Sequence, residues 1–166
     1  QVPVAPGMTD ASYHDNLGTF DTAPNVNGLL RFTSFLAHLR QRHESLQQKQ
    51  YGDLVPDDRD VSYLFHTPSL EGHPQDGDRA LSVYINSPGD NFLMMVNMAD
   101  VEVGFSAPVP AEGRVWRRLI DTGVWAEPAD NSWPEGEGLI LDGQAQVQPW
   151  SVVVWHDSPA PAGEAG

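Results

Sequence analysis

The spacing of the apolar residues changes near residue 61, and this change constrains the fold more than any other feature of the chain. Between residues 27 and 48 they recur at three- and four-residue steps, which places them on one face of a helix. The residues of this predicted face are Leu29, Phe32, Leu36, Leu39, His43 and Leu46. After residue 61, short runs rich in Val, Leu and aromatic residues alternate with breaks that contain Gly, Pro or Asp. The sequence therefore predicts one amphipathic helix followed by many short strands.

Seven runs are predicted as strands, and no helical pattern lies between them. They are residues 61–66, 80–86, 92–97, 101–105, 115–121, 139–141 and 147–155. Because parallel strands need long crossover connections, these strands are expected to pair antiparallel. The runs 80–86 and 92–97 are joined by Ser-Pro-Gly-Asp-Asn, which predicts a hairpin. The predicted fold class is mainly β, an antiparallel Greek-key β-sandwich preceded by one amphipathic helix.

The charge balance of the chain excludes some classes of partner. Its 9 Lys and Arg residues stand against 23 Asp and Glu residues, so the net charge is −14. Nucleic acids and anionic membrane surfaces bind basic surfaces, so neither is expected as a partner. A neutral polymer such as a glucan is not repelled by this charge. No run reaches the roughly 18 apolar residues of a membrane-spanning helix.

The sequence shows no recognised spacing of metal ligands. Cysteine is absent, so neither a disulfide nor a thiolate metal site can form. The six histidines lack the His-x-x-x-His spacing, and the acidic runs at 57–60 and 76–78 lack the spacing of an EF-hand loop. We therefore predict no metal site and no cofactor.

Five segments of the chain, taken in order, resemble the end of one enzyme family. They are Tyr13-His14-Asp15-Asn16, the Arg-x-x-His-x-x-Leu run at 40–46, the strand 92–97 that ends in Asn, Trp116 with Asp121-Thr122, and the run 150–155. Together they resemble the last barrel loop, the last barrel helix and the C-terminal β-domain of isoamylases and glycogen debranching enzymes of the α-amylase superfamily. The resemblance spans residues 13–156.

The resemblance implies a division of the chain and a function. Residues 1–50 would hold the terminal loop and last helix of a (β/α)8 barrel, 51–157 the β-sandwich and 158–166 a loose tail. The implied function is that of a C-terminal accessory domain in a debranching enzyme that hydrolyses α-1,6-glucosidic branch linkages of glycogen or starch. In this family the catalytic acids lie on upstream barrel strands, so no catalytic residue is expected in this chain. The implied partners are an α-glucan and the upstream barrel, and the implied location is the cytoplasm, or a plastid in a photosynthetic eukaryote.

Four residues are candidates for contact with a glucan. Asp15 and Asn16 match the family's barrel loop, and a surface loop is the plainer alternative for both. Trp125 and Trp133 lie in a Pro- and Gly-rich loop, where an aromatic face can stack on a sugar ring, and packing against the barrel is the alternative. The remaining tryptophans lie in predicted strands and are expected to pack in the core or at a sheet edge: Trp116, Trp150 and Trp155.

The sequence is also compatible with two other classes of protein. One is a stand-alone carbohydrate-binding β-sandwich without catalytic activity, and the other is an adhesion-type structural sandwich. The predicted helix discriminates between these and an enzyme fragment, because an independent module has no need of an exposed apolar helical stripe.

Overall fold

The structure of the protein, a computed structural model, describes residues 28–47, 61–123 and 131–161, and the side chains of 28–31 lie outside that description. Within these ranges the chain forms one α-helix and seven β-strands. Helix α1 spans Gly28–Arg42 and is followed by a 3-10 turn at Glu44–Leu46. The strands are β1 (Ser62–His66), β2 (Ala80–Asn86), β3 (Phe92–Asn97), β4 (Val103–Ser106), β5 (Arg114–Asp121), β6 (Gln144–Val147) and β7 (Ser151–Pro159).

Helix α1 is shorter than the predicted span of 27–48. Arg40 and Arg42 lie in its last turn, where positive charge interacts favourably with the carbonyl end of the helix dipole. His43 then takes an extended backbone with φ −113° and ψ 110°, which ends the helix. Neither in length nor in apolar character does any helix of the described residues match a membrane-spanning segment.

Five strands form one antiparallel sheet in the order β1-β2-β3-β7-β5. The predicted hairpin is confirmed, because β2 pairs with β3 from Ala80 opposite Asn97 to Ile85 opposite Phe92. In its turn the Asp90 amide donates to the Ser87 carbonyl at 3.1 Å, and Gly89 takes the positive φ of 75° that few other residues adopt easily. The hairpin thereby places Asp90 just before the start of β3, beside the end of α1.

Strands β4 and β6 form a second antiparallel sheet, which packs on one face of the first. Alternate side chains of β3 and β7 point into the space between the two sheets. The buried side chains of this first core are Leu93, Met95, Phe105, Trp116, Ala145, Val147, Val153 and Trp155. The mainly β, antiparallel sandwich is therefore confirmed, while its Greek-key connection stays a prediction.

Helix α1 packs on the opposite face of the five-stranded sheet. There Leu39 joins a second core with six residues of the sheet and its flanks: Val61, Ile85, Phe92, Leu119, Ile120 and Val154. Along the predicted helical face Leu39 and His43 are buried, but Leu36 remains 38% exposed. Three further residues of α1 and the 3-10 turn pack against this core: Phe32, Phe35 and Leu46. The sheet thus has an apolar core on each side, and the chain is layered as helix, large sheet and small sheet.

The sixth strand does not lie where it was predicted. Residues 139–141 make a single bridge between Ile140 and Arg117 of β5, and Leu139 is 62% exposed. The observed strand is Gln144–Val147, where exposed Gln alternates with buried Ala145 and Val147. Glutamine is not a strong strand former and the strand has four residues, so the alternation was too short to stand out from the sequence.

The prediction of one strand over 147–155 was also wrong. Val147 ends β6 in the small sheet, and Ser151 begins β7 in the large sheet. Between them Pro149 has no amide hydrogen for a ladder, and Trp150 takes a left-handed backbone with φ 56°. Trp150 is consequently 64% exposed in the turn, against its predicted packing within a strand in the core or at a sheet edge. Strand β7 then runs to Pro159, two residues beyond the predicted sandwich boundary at 157.

Candidate functional site

Three ionisable side chains from separate elements meet where α1 reaches the large sheet. His43 follows the last residue of α1, Asp90 lies in the β2–β3 turn, and His156 lies in β7 opposite Phe92. We call these three residues the junction cluster. Both histidines are 8% exposed, so the cluster is largely removed from solvent.

One carboxylate oxygen joins the two imidazoles of the junction cluster. Oδ1 of Asp90 lies 2.7 Å from Nδ1 of His43 and 3.2 Å from Nε2 of His156. The other oxygen, Oδ2, accepts a hydrogen bond of 2.6 Å from the hydroxyl of Ser45. The carboxylate is therefore shared by the 3-10 turn, the end of the helix and β7, and it ties these segments together.

A second carboxylate lies on the far side of the His43 ring. Oε1 of Glu135 is 3.4 Å from Nε2 of His43, which is an ion-pair distance, and Nε2 makes no hydrogen bond to any described residue. Arg42 donates to the same oxygen of Glu135 at 2.9 Å. His43 thus lies between two carboxylates, one of them neutralised in part by Arg42.

An aromatic ring holds both imidazoles in place. The Phe92 ring lies edge-on to His43 with 4.9 Å between ring centres, and it stacks on His156 at 4.7 Å. The two imidazoles are themselves 5.0 Å apart. Because Phe92 is fully buried, the rings pack against a rigid apolar surface.

These contacts shift the proton affinities of the groups. The hydrogen bond with Asp90 raises the pKa of His43, and the charges of Asp90 and Glu135 add to this against the opposing effect of burial. Burial alone would raise the pKa of Asp90, but hydrogen bonds from His156, His43 and Ser45 outweigh it and hold that pKa well below its usual range. Burial alone would also raise the pKa of Glu135. The hydrogen bonds and charge interactions with His43 and Arg42 outweigh burial and lower that pKa. Asp90 is therefore ionised at every ordinary pH.

The arrangement does not match a nucleophilic triad. In such a triad the imidazole stands between the hydroxyl and the carboxylate. Here the carboxylate of Asp90 stands between Ser45 and His43, and Ser45 is 1% exposed. What the cluster offers is two imidazole nitrogens and a carboxylate oxygen that lie within 4.8 Å of one another.

A second concave region of about 270 Å³ lies beside β5 and β6. Its polar lining consists of Arg118, Asp121, Asp142, Gln144 and Gln146. Arg118 donates to Asp121 at 2.8 Å, and its Nε is buried without a hydrogen-bond partner among the described residues. The guanidinium carbon lies 4.2 Å from the centre of the Trp133 ring, so the cation covers one face of that ring.

The structure brings together few of the residues that the sequence nominated. Asp15, Asn16 and Trp125 lie outside the described residues. Trp133 lies in a loop, as predicted, and is half-buried against Arg118. The contact of Trp133 with glucan stays a prediction. Arg118 covers one face of the Trp133 ring, which leaves the other face for such a contact.

Sequence reasoning missed the junction cluster altogether. The sequence placed His43 on the apolar face of the predicted helix and indicated no partner for it, yet its ring contacts a residue 47 positions later in the chain. The histidines also showed no ligand spacing, because the three groups come from a helix end, a hairpin turn and the last strand. The one available signal was the run at 40–46, which marked His43 without indicating its partners.

Comparisons with known proteins do not assign the chain to a family. No protein-family model and no curated protein matches it. Among solved structures it is similar to a mutant of MUTB from crystals soaked with trehalulose, with a TM-score of 0.46 and 15% sequence identity. That match covers 77% of this chain and 18% of the other, so this chain corresponds to less than a fifth of that protein. A likeness of this size carries no argument about function.

Proposed function

We propose that this chain is the C-terminal accessory region of an α-amylase-superfamily enzyme, and of an isoamylase-type debranching enzyme in particular. The parent enzyme would hydrolyse the α-1,6-glucosidic branch linkages of glycogen or a starch-like glucan. The order of the five family-like segments supports this proposal. A fold in which one helix precedes an antiparallel sandwich is consistent with it.

The observation that carries the proposal is the partly covered apolar face on the helix side of the large sheet. Four strand residues on this face are only half-buried: Tyr63, Val83, Met94 and Val152. Leu36 of α1 is 38% exposed, and Phe65, which alternates onto the same face as Tyr63, is 41% exposed. Exposed apolar surface of this kind marks an interaction surface. A catalytic barrel that packs here would complete the core that α1 only begins.

In this proposal the chain supports catalysis without performing it. Retaining glycosidases need two carboxylates on either side of the scissile bond, and the family places them on barrel strands. This region would stabilise the barrel and extend the surface that contacts the glucan. Asp15, Asn16, Trp125 and Trp133 are the residues proposed for that contact.

The alternative function is a stand-alone carbohydrate-binding sandwich. The observation in its favour is the concave region beside β5 and β6, which amide, carboxylate and guanidinium groups line together with apolar side chains such as Leu139 and Leu141. Binding sites for small ligands combine a few polar groups with an apolar lining of this kind. The two functions differ in whether a catalytic barrel is attached.

The coding sequence upstream of Gln1 tests the proposal. We expect it to encode a barrel of about 250 residues that carries the catalytic acids. The joined protein should release reducing ends from glycogen, and removal of residues 61–161 should lower the yield of folded barrel. A stop codon or an unrelated domain upstream would contradict the proposal and favour the stand-alone sandwich.

A further inference from the structure

We propose that the junction cluster binds a divalent transition-metal ion, and that zinc is the ion it fits best. One ligand atom each from His43, Asp90 and His156 lies within 4.8 Å of the other two. Two imidazoles and one carboxylate form a donor set that zinc and its neighbours in the first transition row prefer. Calcium and magnesium prefer oxygen ligands, so the two histidines select against them.

The separations of Asp90 Oδ1 from the two ring nitrogens can be compared with those of a metal site. Tetrahedral zinc with bonds of about 2.0–2.1 Å holds its ligand atoms about 3.3–3.4 Å apart. Oδ1 of Asp90 lies 3.2 Å from Nε2 of His156 and 2.7 Å from Nδ1 of His43. The second of these separations has to widen by about 0.6 Å, and the separation of the two ring nitrogens, which lies within 4.8 Å, has to reach the same value of about 3.3–3.4 Å when the ion binds.

Each prospective ligand already has the outer contact that metal ligands require. A ligating imidazole normally directs its other ring nitrogen at a carboxylate, hydroxyl or carbonyl, which fixes the ring and its tautomer. Nε2 of His43 faces Glu135 at 3.4 Å, and Nδ1 of His156 lies 3.3 Å from the hydroxyl of Ser158. On Asp90 the second carboxylate oxygen, Oδ2, accepts a hydrogen bond of 2.6 Å from the Ser45 hydroxyl. The cluster is therefore oriented as a ligand set with its supporting partners in place.

The outer ring nitrogen of His43 and the partial exposure of Asp90 both suit the binding of an ion. His43 is 8% exposed, and its Nε2 has no hydrogen bond within the described residues. If Nδ1 ligates a metal, Nε2 carries the proton and attracts the Glu135 carboxylate. The Asp90 side chain is 25% exposed, which allows an ion to enter and a water molecule to complete the coordination.

A metal ion here would act as a structural clamp. His43 and Asp90 are 47 residues apart in sequence, and Asp90 and His156 are 66 apart. One ion would link the end of α1, the β2–β3 turn and β7, and so fix the orientation of the helix on the sheet. Because the unfolded chain has no such site, the free energy of metal binding adds to the free energy of unfolding.

The test uses the whole chain, freed of metal with EDTA and dialysed. We expect calorimetric titration with ZnCl2 to give one tight site per chain. Zinc at about 100 times its dissociation constant should raise the Tm by about 5–10 °C. Equal concentrations of MgCl2 and CaCl2 should leave the Tm unchanged. Cobalt(II) should give visible d–d absorption typical of low-coordinate nitrogen and oxygen ligands, a signature that needs no variant.

Matched variants separate this site from adventitious binding. Asp90→Asn and His156→Gln remove a ligand, and each should lose the zinc-dependent rise in Tm and the cobalt absorption, with the fold checked by circular dichroism. The control is His73→Gln, because His66 and His73 form another histidine pair, stacked at 6.2 Å between ring centres. This control should keep the full response.

Several outcomes would overturn the proposal. The wild-type chain could show no zinc response and no cobalt absorption, which would leave the cluster as a hydrogen-bonded junction only. Magnesium could reproduce the response, which would indicate binding by the acidic surface. The response could also disappear in His73→Gln and persist in Asp90→Asn, which would place the metal on the pair His66 and His73.

Discussion

At the scale of single residues, Asn97 makes more structural contacts than its place at the end of a strand suggests. Its fully buried amide nitrogen lies 2.8 Å from the carbonyl of Val101, 3.0 Å from that of Val147 and 3.1 Å from that of Gln148. Its oxygen accepts from the Ala99 amide at 2.9 Å. One side chain therefore connects the end of β3, the loop before β4 and the end of β6.

We predict that Asn97→Ala lowers the free energy of unfolding by about 2–4 kcal/mol. The change leaves buried carbonyl groups and an amide without partners, and each such group costs about 1–3 kcal/mol. Urea unfolding followed by Trp fluorescence measures the change. Asn86→Ala is the control, because Asn86 is exposed at the end of β2 and should cost less than about 0.5 kcal/mol. Equal effects of the two substitutions would contradict this account.

Truncation to alanine is expected to lower the stability strongly at one tryptophan and hardly at all at another. Trp116 is 4% exposed in the first core, and its indole nitrogen donates to the Pro108 carbonyl at 2.7 Å. Trp116→Ala should therefore cost about 3–5 kcal/mol. Trp150→Ala should change stability by less than about 0.5 kcal/mol, because this side chain is 64% exposed in a turn. Chemical unfolding of both variants measures the two free energies of unfolding. A larger loss of stability for Trp150→Ala than for Trp116→Ala would be inconsistent with the break between β6 and β7.

At the scale of elements, the segment after the 131–133 loop packs closely on the edge of β5. The Arg118 amide donates to the Leu139 carbonyl and the Leu141 amide donates to the Trp116 carbonyl, both at 2.9 Å. Gly138 permits this approach, because a Cβ there would lie 1.7 Å from the carbonyl oxygen of Arg118. The close contact protects most of an edge strand that would otherwise be open.

We predict that Gly138→Ala destabilises the sandwich by about 2–3 kcal/mol or more. The added methyl group meets backbone atoms, so no change of side-chain rotamer relieves the overlap. Gly72→Ala is the matched control, since a Cβ at Gly72 meets nothing within 4 Å. Thermal melting of the two variants gives the comparison. If Gly138→Ala has the same Tm as the wild-type chain, residues 138–141 do not pack on β5 as described.

At the scale of the whole molecule, the chain has two cores but covers them unequally. The first core is closed between the two sheets, whereas the second is capped by a single helix with Leu39 as its one buried apolar residue among the described side chains of α1. An unequal arrangement of this kind suits a region that completes its burial against another folded unit.

We predict that the isolated chain releases no reducing ends from glycogen, because the proposed catalytic acids lie upstream. Contact with glucan should be weak, with a dissociation constant near millimolar, which corresponds to about −4 kcal/mol. A titration with maltoheptaose, followed by Trp fluorescence, should show a change that Trp133→Ala reduces. Hydrolysis above the blank that survives repurification would contradict the accessory role. A wild-type chain that does not respond to millimolar maltoheptaose would remove the glucan contact from the proposal.

The sequence by itself determined the local structure of this protein, and the tertiary structure decided which residues meet. Apolar spacing and turn residues identified α1, the β2–β3 hairpin and β5, because their signals lie within a few neighbouring residues. The break between β6 and β7 was missed because apolar Val147 and Val152 lie on either side of it, although Pro149 marks the position, and the assignment of the two strands to different sheets is a tertiary property. Long-range pairing of strands also determined which residues form the junction cluster. His43, Asp90 and His156 converge because β3 pairs with β7 while α1 ends over Phe92, and no local pattern records that convergence.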